Sequence, residues 1–332
     1  MQSAAQKVLV VGGNGFLGSA VCRAALARGM QVTSISSSGK PYTTPKGHSP
    51  AWTSKVNWQA GNALQPETYA YLLPGSTAVV HTLGTLLEDA RYKSALRESN
   101  LPALLGTFAA RLASLDPGSR NPLEDPEKEG GYERMNRDSA LRVCEAFAAT
   151  ESEIPLDGPR PFVFVSAEDV FRPFIPTRYI ETKREAEMYI EGILGRTKNF
   201  RGVYIRPSLI YHPHFRPLTS PLAAILDLSA SLHAQAPRGF PTPANILKAL
   251  SSGTRSDSLI PPSPLDSVAC ALTIPPIHVD HVAEAICIAV DNARSDVRGV
   301  VGVREMRELI GWSLKGSSAP PLSNSAHKQQ TL

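Results

Sequence analysis

Two groups of residues in this chain have the types and spacing to do chemistry. Tyr179 and Lys183 stand four apart in Tyr-Ile-Glu-Thr-Lys, so on a helix they share a face. A lysine beside a phenol lowers the phenol's pKa and makes it a usable proton donor or acceptor; the same lysine can hold a ribose. The second group is Gly12, Gly13, Asn14, Gly15, Phe16, Leu17 and Gly18, directly after the apolar run Val8–Val11. Glycines at 13, 15 and 18 suit a tight turn from a strand into a helix. Gly13 takes the backbone angles of the turn, Gly15 has no side chain to block a pyrophosphate, and Gly18 lets the helix pack closely. The helix from Phe16 to Arg28 would aim its first amides and positive dipole end at the phosphates. A second strand, Gln31–Ser36, completes the context in which this spacing means a dinucleotide site and not a plain Gly-rich turn.

The end of that second strand bears on which dinucleotide. Ser36, Ser37, Ser38, Gly39 and Lys40 stand where an acid would hold the two ribose hydroxyls of NAD. Hydroxyls and a lysine can hold a 2′-phosphate, so NADP(H) is preferred over NAD(H); the other reading of the stretch to Pro50 is a solvated loop. Asn62, after a strand near Val56–Gln59, is placed to meet the adenine edge. Leu83-Gly84, after the strand Ala78–Thr82, is placed under ribose and pyrophosphate. His81, inside that apolar strand, reads as a core histidine.

These pieces sit in an α/β pattern: a Rossmann-type doubly wound parallel sheet with a small C-terminal cap. Residues 1–211 form the nucleotide-binding core, 212–275 a proline-dense cap over the substrate region, and 276–312 a return to the core. The Ser/Pro/Gln-rich residues 313–332 are expected to be disordered. Within the core, 114–131 reads as an exposed loop, Tyr132–Ala149 as a helix, and Phe162–Val165 as a strand leading to Ser166. A short helix is expected from Pro66 through Leu73. Helix-like runs at Leu222–Leu232 and Ala244–Leu250 fall in the cap, and Asp280 is expected to cap a helix through Val290.

Composition excludes several classes. The 332 residues carry a net charge of only +4, with no dense Lys/Arg patch, which argues against nucleic acid as a partner. No apolar run reaches the ~20 residues of a membrane-spanning helix. The four cysteines form no Cys-x-x-Cys pair and read as reduced, and His212 and His214 read as loop residues, so no metal is expected. No acid precedes Glu67, whereas Arg23 and Arg28 lie on the glycine-loop helix. That basicity fits either an import signal carried by this helix or a phosphate-binding segment.

With these residues in place the chain resembles the short-chain dehydrogenase/reductase family, in its extended or atypical branch. The matching pieces are the glycine loop, Val163–Ser166, Tyr179-x-x-x-Lys183, Arg206-Pro207 and Ile277–Ala285. Ser36–Lys40, Val80–Gly84, Met135-Asn136 and Tyr179–Glu187 further resemble the fungal mitochondrial members of the coenzyme Q (ubiquinone) synthesis complex, relatives of the NADPH-binding accessory subunit of respiratory complex I. The resemblance implies cofactor contacts from Arg206 and Pro207. It also implies a place on the matrix face of the inner membrane, other coenzyme Q synthesis proteins as partners, and a quinone-like small molecule as ligand. It exposes one departure. The serine that polarises the substrate carbonyl in active members falls on Ala167, one residue after Ser166. Losing such a donor costs ~3–4 kcal/mol of barrier. The expectation is therefore an accessory or regulatory protein with weak or no turnover. An active oxidoreductase or isomerase using Tyr179, Lys183 and a displaced Ser166 is the alternative, as is a structural nucleotide-binding subunit.

Overall fold

The computed structural model describes residues 6–85, 131–154, 156, 158–172, 175–196, 198–213, 219–237, 240–251 and 263–312. Seven parallel strands make the central sheet: β1 (Lys7–Val11), β2 (Gln31–Ser36), β3 (Asn57–Ala60), β4 (Ala78–His81), β5 (Arg160–Val165), β6 (Phe200–Ile205) and β9 (Gly299–Val301). Their order is β3-β2-β1-β4-β5-β6-β9. Chain order reverses between β1 and β4, so the crevice outside their carboxyl ends is where an open α/β sheet takes a ligand.

Both faces of the sheet are covered, which is why its strands read as continuous apolar runs. Successive residues alternate between two cores. Val8, Val10 and Val163 pack with α1 (Phe16–Ala27) and α7 (Val279–Ala289). Leu9, Val11, Phe162 and Phe164 pack with α2 (Ser139–Ala148) and α3 (Thr177–Leu194). The remaining elements are the small parallel pair β7 (Ile210–Tyr211) and β8 (Ile277–His278), the cap helices α4 (Thr219–Gln235), α5 (Pro243–Ser251) and α6 (Pro264–Thr273), and α8 (Val303–Leu309).

Local chemistry differs from the sequence expectation at five points. The glycine in the left-handed region is Gly12, at φ 88°, not Gly13. Gly13 is required for space instead, since a Cβ there would lie 2.3 Å from Ser34 Oγ. The helix after β8 is capped by His278, whose side chain accepts from the Asp280 amide, and Asp280 lies in the first turn. Residues 66–72 form two short 3₁₀ turns, not one helix. The helix expected over Tyr132–Ala149 opens with a π-turn at Glu133–Asp138. The cap contains a third helix, α6, started by Pro264 and capped by Ser263. Most of the loop expected at 114–131, His214 and the tail 313–332 lie outside the described residues.

Candidate functional site

The glycine loop runs from the end of β1 to the start of α1. Gly18 is where the helix meets the loop: a Cβ would fall 2.2 Å from the Gly12 carbonyl oxygen. Gly15 is exposed and caps α1 with extended backbone and no side-chain hydrogen bond, and the first turn contains no acid. A Cβ on Gly15 would meet only the Gly12 carbonyl, at 3.2 Å. The loop thus leaves its outer side open toward an uncapped helix N-terminus, the form of a phosphate cradle. Phe16 and Leu17 follow as the first helical residues, with Leu17 buried in the core. Thr82 Oγ1 donates to the Val11 carbonyl at 2.8 Å, and Leu83 packs where a Gly12 side chain would go, so the ends of β1 and β4 are locked together.

Asn14 bridges to the end of β2, its Nδ2 donating to Ser38 Oγ at 3.5 Å. Ser36 Oγ accepts from the Gly39 amide, and Ser37, Ser38 and Lys40 are exposed around that turn. Asn62 is exposed too, but its side chain is engaged locally: Oδ1 accepts from the Leu64 amide and Nδ2 donates to Gln65. Arg23 of α1 and Arg28 just after it do not serve the cradle. Arg23 pairs with Asp280 and Arg28 with Glu284, both on α7.

Lys183 is the centre of the second group. It is 2% exposed, and its ammonium donates to the carbonyls of Leu83 at 3.1 Å and Val165 at 2.9 Å, over the Phe164 ring. Burial pushes its pKa down to about 7. Gly84 is required here, since a Cβ would lie 2.9 Å from Lys183 Nζ and 3.3 Å from Asn136 Oδ1. Asn136, fully buried in the π-turn, accepts from the Thr85 amide at 2.8 Å and donates to the Thr85 carbonyl and Thr182 Oγ1. Sequence reasoning passed over Asn136 as a site residue. Its position depends on the π-turn, which no residue spacing announces, and π-turns concentrate at functional sites.

Tyr179 lies one turn before Lys183, half-buried, with its ring edge toward Tyr132 and its side chain packed on Ala167 and Ile180. Ser166 is sealed instead. It is 2% exposed, and its hydroxyl accepts from Arg184 Nη1 at 3.2 Å. Arg184 also holds Glu187, which in turn holds Arg206 through both carboxylate oxygens. Burial would raise the Glu187 pKa, but Arg206, Arg184 and the Ser166 hydroxyl outweigh it and hold the carboxylate below its usual range. Arg206, given to the cofactor by the resemblance, thus spends its guanidinium on Glu187, and Pro207 contributes its carbonyl to the Glu168 amide. Among the described residues, no cluster of His, Cys, Asp or Glu is arranged to hold a metal, and no helix is long and apolar enough to cross a membrane.

The comparisons with known proteins meet this geometry. Residues 8–103 match the model of the NAD dependent epimerase/dehydratase family. A curated relative, MIOREX complex component 2 of Saccharomyces cerevisiae, is 36% identical over 213 residues, 63% of this chain and 74% of the yeast protein. The chain belongs to the NAD dependent epimerase/dehydratase family, on the short-chain dehydrogenase fold. Solved members of the fold include a 3-oxoacyl-[acyl-carrier protein] reductase from Brucella melitensis in complex with NAD, with TM-score 0.54 and 11% identity. It aligns over 93% of this chain and 99% of the reductase. A gluconate 5-dehydrogenase from Burkholderia cenocepacia aligns at TM-score 0.51 and 11% identity over 90% and 93% of the two chains. At that identity the likeness is one of fold. The open cradle at Gly15 fits the pyrophosphate of the family's nucleotide, while the Lys183 amine, 2% exposed, donates to the Leu83 and Val165 carbonyls. Such a nucleotide supplies or accepts a hydride when bound. The residues themselves offer a buried lysine whose pKa burial lowers to about 7, a phenol one helical turn before it, and no hydroxyl at position 167.

Proposed function

We propose that this protein is a nucleotide-binding accessory or regulatory member of the mitochondrial ubiquinone synthesis machinery, occupied by NADP(H) in preference to NAD(H), with little or no turnover of its own. One observation carries the reading. The glycine loop leaves an open, uncapped helix N-terminus, while the polarising position holds Ala167 and the neighbouring Ser166 is bound into a buried ion-pair network. A serine held by a guanidinium and 2% exposed is not available to a substrate oxygen. The exposed hydroxyls of Ser37 and Ser38, with Lys40, support the NADP(H) preference. The yeast relative is named as a component of a complex, which supports membership of an assembly, and the motif resemblance points to other coenzyme Q synthesis proteins on the matrix face of the inner membrane.

The second reading is an active oxidoreductase or isomerase on a quinone precursor, and the retention of Tyr179 beside Lys183 favours it. A calorimetric titration with NADPH, NADP+, NADH and NAD+, with Gly15→Asp as control, tests the first step. Micromolar binding that the variant loses is expected, tightest for the phosphorylated pair. Absence of binding by all four would remove both readings. Hydride turnover with a quinone precursor, abolished by Tyr179→Phe, would establish the second over the first. A nucleotide that co-purifies and resists dialysis would favour a purely structural subunit.

A further inference from the structure

Three imidazoles meet where β7 and β8 lead the chain into α7. The His278 ring lies 5.1 Å from that of His212 and 5.7 Å from that of His281, with the Tyr211 ring edge-on at 5.4 Å. His281 in turn packs on Trp312. Among the described residues this group is not arranged to hold a metal. His278 instead caps α7, its Nδ1 accepting from the Asp280 amide at 3.2 Å. A ring nitrogen can accept only while it carries no proton. Asp280 is shared: its Oδ2 lies 3.9 Å from His278 Nδ1, and its Oδ1 holds Arg23 of α1. That places the cap behind the nucleotide cradle. α1 begins at the glycine loop, and α7 packs along it, with Val21, Cys22 and Ala25 in one core with Val282, Ile286 and Cys287. Arg23–Asp280 and Arg28–Glu284 close the same contact at the surface.

We propose that His278 is a proton-operated latch between α7 and the glycine-loop helix. Neutral, it caps α7 and leaves Asp280 to Arg23; protonated, it releases the Asp280 amide, draws the carboxylate from Arg23 and weakens nucleotide binding. The inference rests on the nucleotide-binding reading above and gives that site a response to pH. The groups around the ring set its sign. Burial disfavours the charged imidazole most, Asp280 favours it, and His281 and Arg23 oppose it. The positive end of α7 opposes it as well. From β7 and the residue after it come Tyr211 and His212. Arg307 of α8 donates to the Pro276 carbonyl, two residues before His278, and is paired with Asp227 of α4. The folded pKa therefore lies below the ~6.5 of the unfolded chain, so the latch holds at neutral pH and opens in acid. The His278 side chain is 21% exposed, so a proton reaches it without unfolding. The Arg23–Asp280 pair is at the surface and contributes little alone, so the effect on affinity is modest.

The test compares wild type with His278→Asn at pH 7.5 and pH 5. Asparagine caps a helix and does not titrate. Two quantities are read: protection from amide exchange over Val279–Ala289 in the nucleotide-free protein, and NADPH affinity by calorimetry. At pH 7.5 the two proteins should match. At pH 5 the first turn of α7 in the wild type should lose about fivefold in protection, and NADPH should bind it about three- to fivefold more weakly than it binds the variant. Both proteins meet the same nucleotide, so protonation of its own phosphates cancels in the ratio. His281→Gln should keep the response and move its midpoint to higher pH, since a neighbouring like charge is gone. Protection that falls equally in His278→Asn overturns the proposal, as does wild-type protection that is independent of pH. Lost protection with an unchanged affinity ratio overturns the link to the cradle. Absence of NADPH binding at pH 7.5 overturns the nucleotide reading and that link with it, while the exchange data still decide the cap.

Discussion

Ser166 Oγ and Arg184 Nη1 lie 3.2 Å apart, both buried, and Arg184 holds Glu187 at 2.9 Å. The serine at the end of β5 is therefore part of the brace between β5, α3 and β6. It follows that Ser166→Ala should act on stability and not on the nucleotide site. Loss of one hydrogen bond from a charged donor should cost ~1–3 kcal/mol in denaturant unfolding. Nucleotide affinity by calorimetry should stay within about twofold, because no cradle residue loses a partner. A large affinity loss with unchanged stability would return Ser166 to the pocket.

Lys183 couples the site to pH. Burial brings it down to about 7, well below the ~10.4 of a lysine in the unfolded chain. Between those values the unfolded chain binds a proton that the folded chain does not. Stability of the nucleotide-free protein should therefore rise with pH from about 7 toward about 10, once other groups are matched by a control. Lys183→Met removes this titration, so its stability should follow a flatter profile over the same window. At pH 9 the variant should also be ~1–3 kcal/mol less stable, since the Leu83 and Val165 carbonyls lose their donor. Parallel profiles for the two proteins would show that Lys183 is not the group responsible.

His81 is fully buried in β4, with Nε2 on Ser139 Oγ at 3.2 Å and, among the described residues, no partner at Nδ1. Burial, with the Lys183 charge adding to it, pushes its pKa down to about 3. As pH falls below about 6.5 the unfolded state gains a proton that the folded state refuses, so stability is lost between about 6.5 and about 3. His81→Leu should make that loss shallower. Melting temperatures at pH 7 and pH 5 should lie closer together in the variant than in the wild type. An unchanged gap would sink this assignment.

The parts of the molecule that the sequence announced are those set by a repeating period or by a fixed backbone demand. The apolar run Val8–Val11, the glycines after it, and the four-residue step from Tyr179 to Lys183 each constrain local geometry by themselves. What stayed hidden depends on contacts between distant residues. Gly84, expected as a backbone contact to a nucleotide, also makes room by its lack of a side chain for Lys183 and Asn136, which come from two other elements. Arg206, given to the cofactor by the resemblance, meets Glu187 of α3, and nothing local announces that pairing. Helix α6 was lost because Pro264 and the prolines before it read as loop, although a proline in the first turn is where a helix tolerates one. Residue type alone favours Asp280 over His278 as the cap, whereas the cap depends on the imidazole nitrogen reaching the Asp280 amide.

The cap is fastened to the core through Asp169 and Arg172, just after β5. Their side chains are 8% and 2% exposed and meet twice, at 2.7 and 2.6 Å, while the Arg172 amide donates to Ser267 Oγ on α6 at 2.9 Å. Phe171 between them holds a left-handed φ of 68°, an unfavourable conformation for a bulky residue that the surrounding contacts must maintain. Asp169→Ala would leave a buried guanidinium without its carboxylate, a loss of ~3–5 kcal/mol. The damage should concentrate in the cap, so amide exchange over Pro264–Thr273 should accelerate more than in β1 or β4. Replacing both partners, as Asp169→Leu with Arg172→Leu, should recover most of the lost stability, since the uncompensated charge is then gone. If the double variant is as unstable as the single one, the joint depends on packing around Phe171 and not on the ion pair.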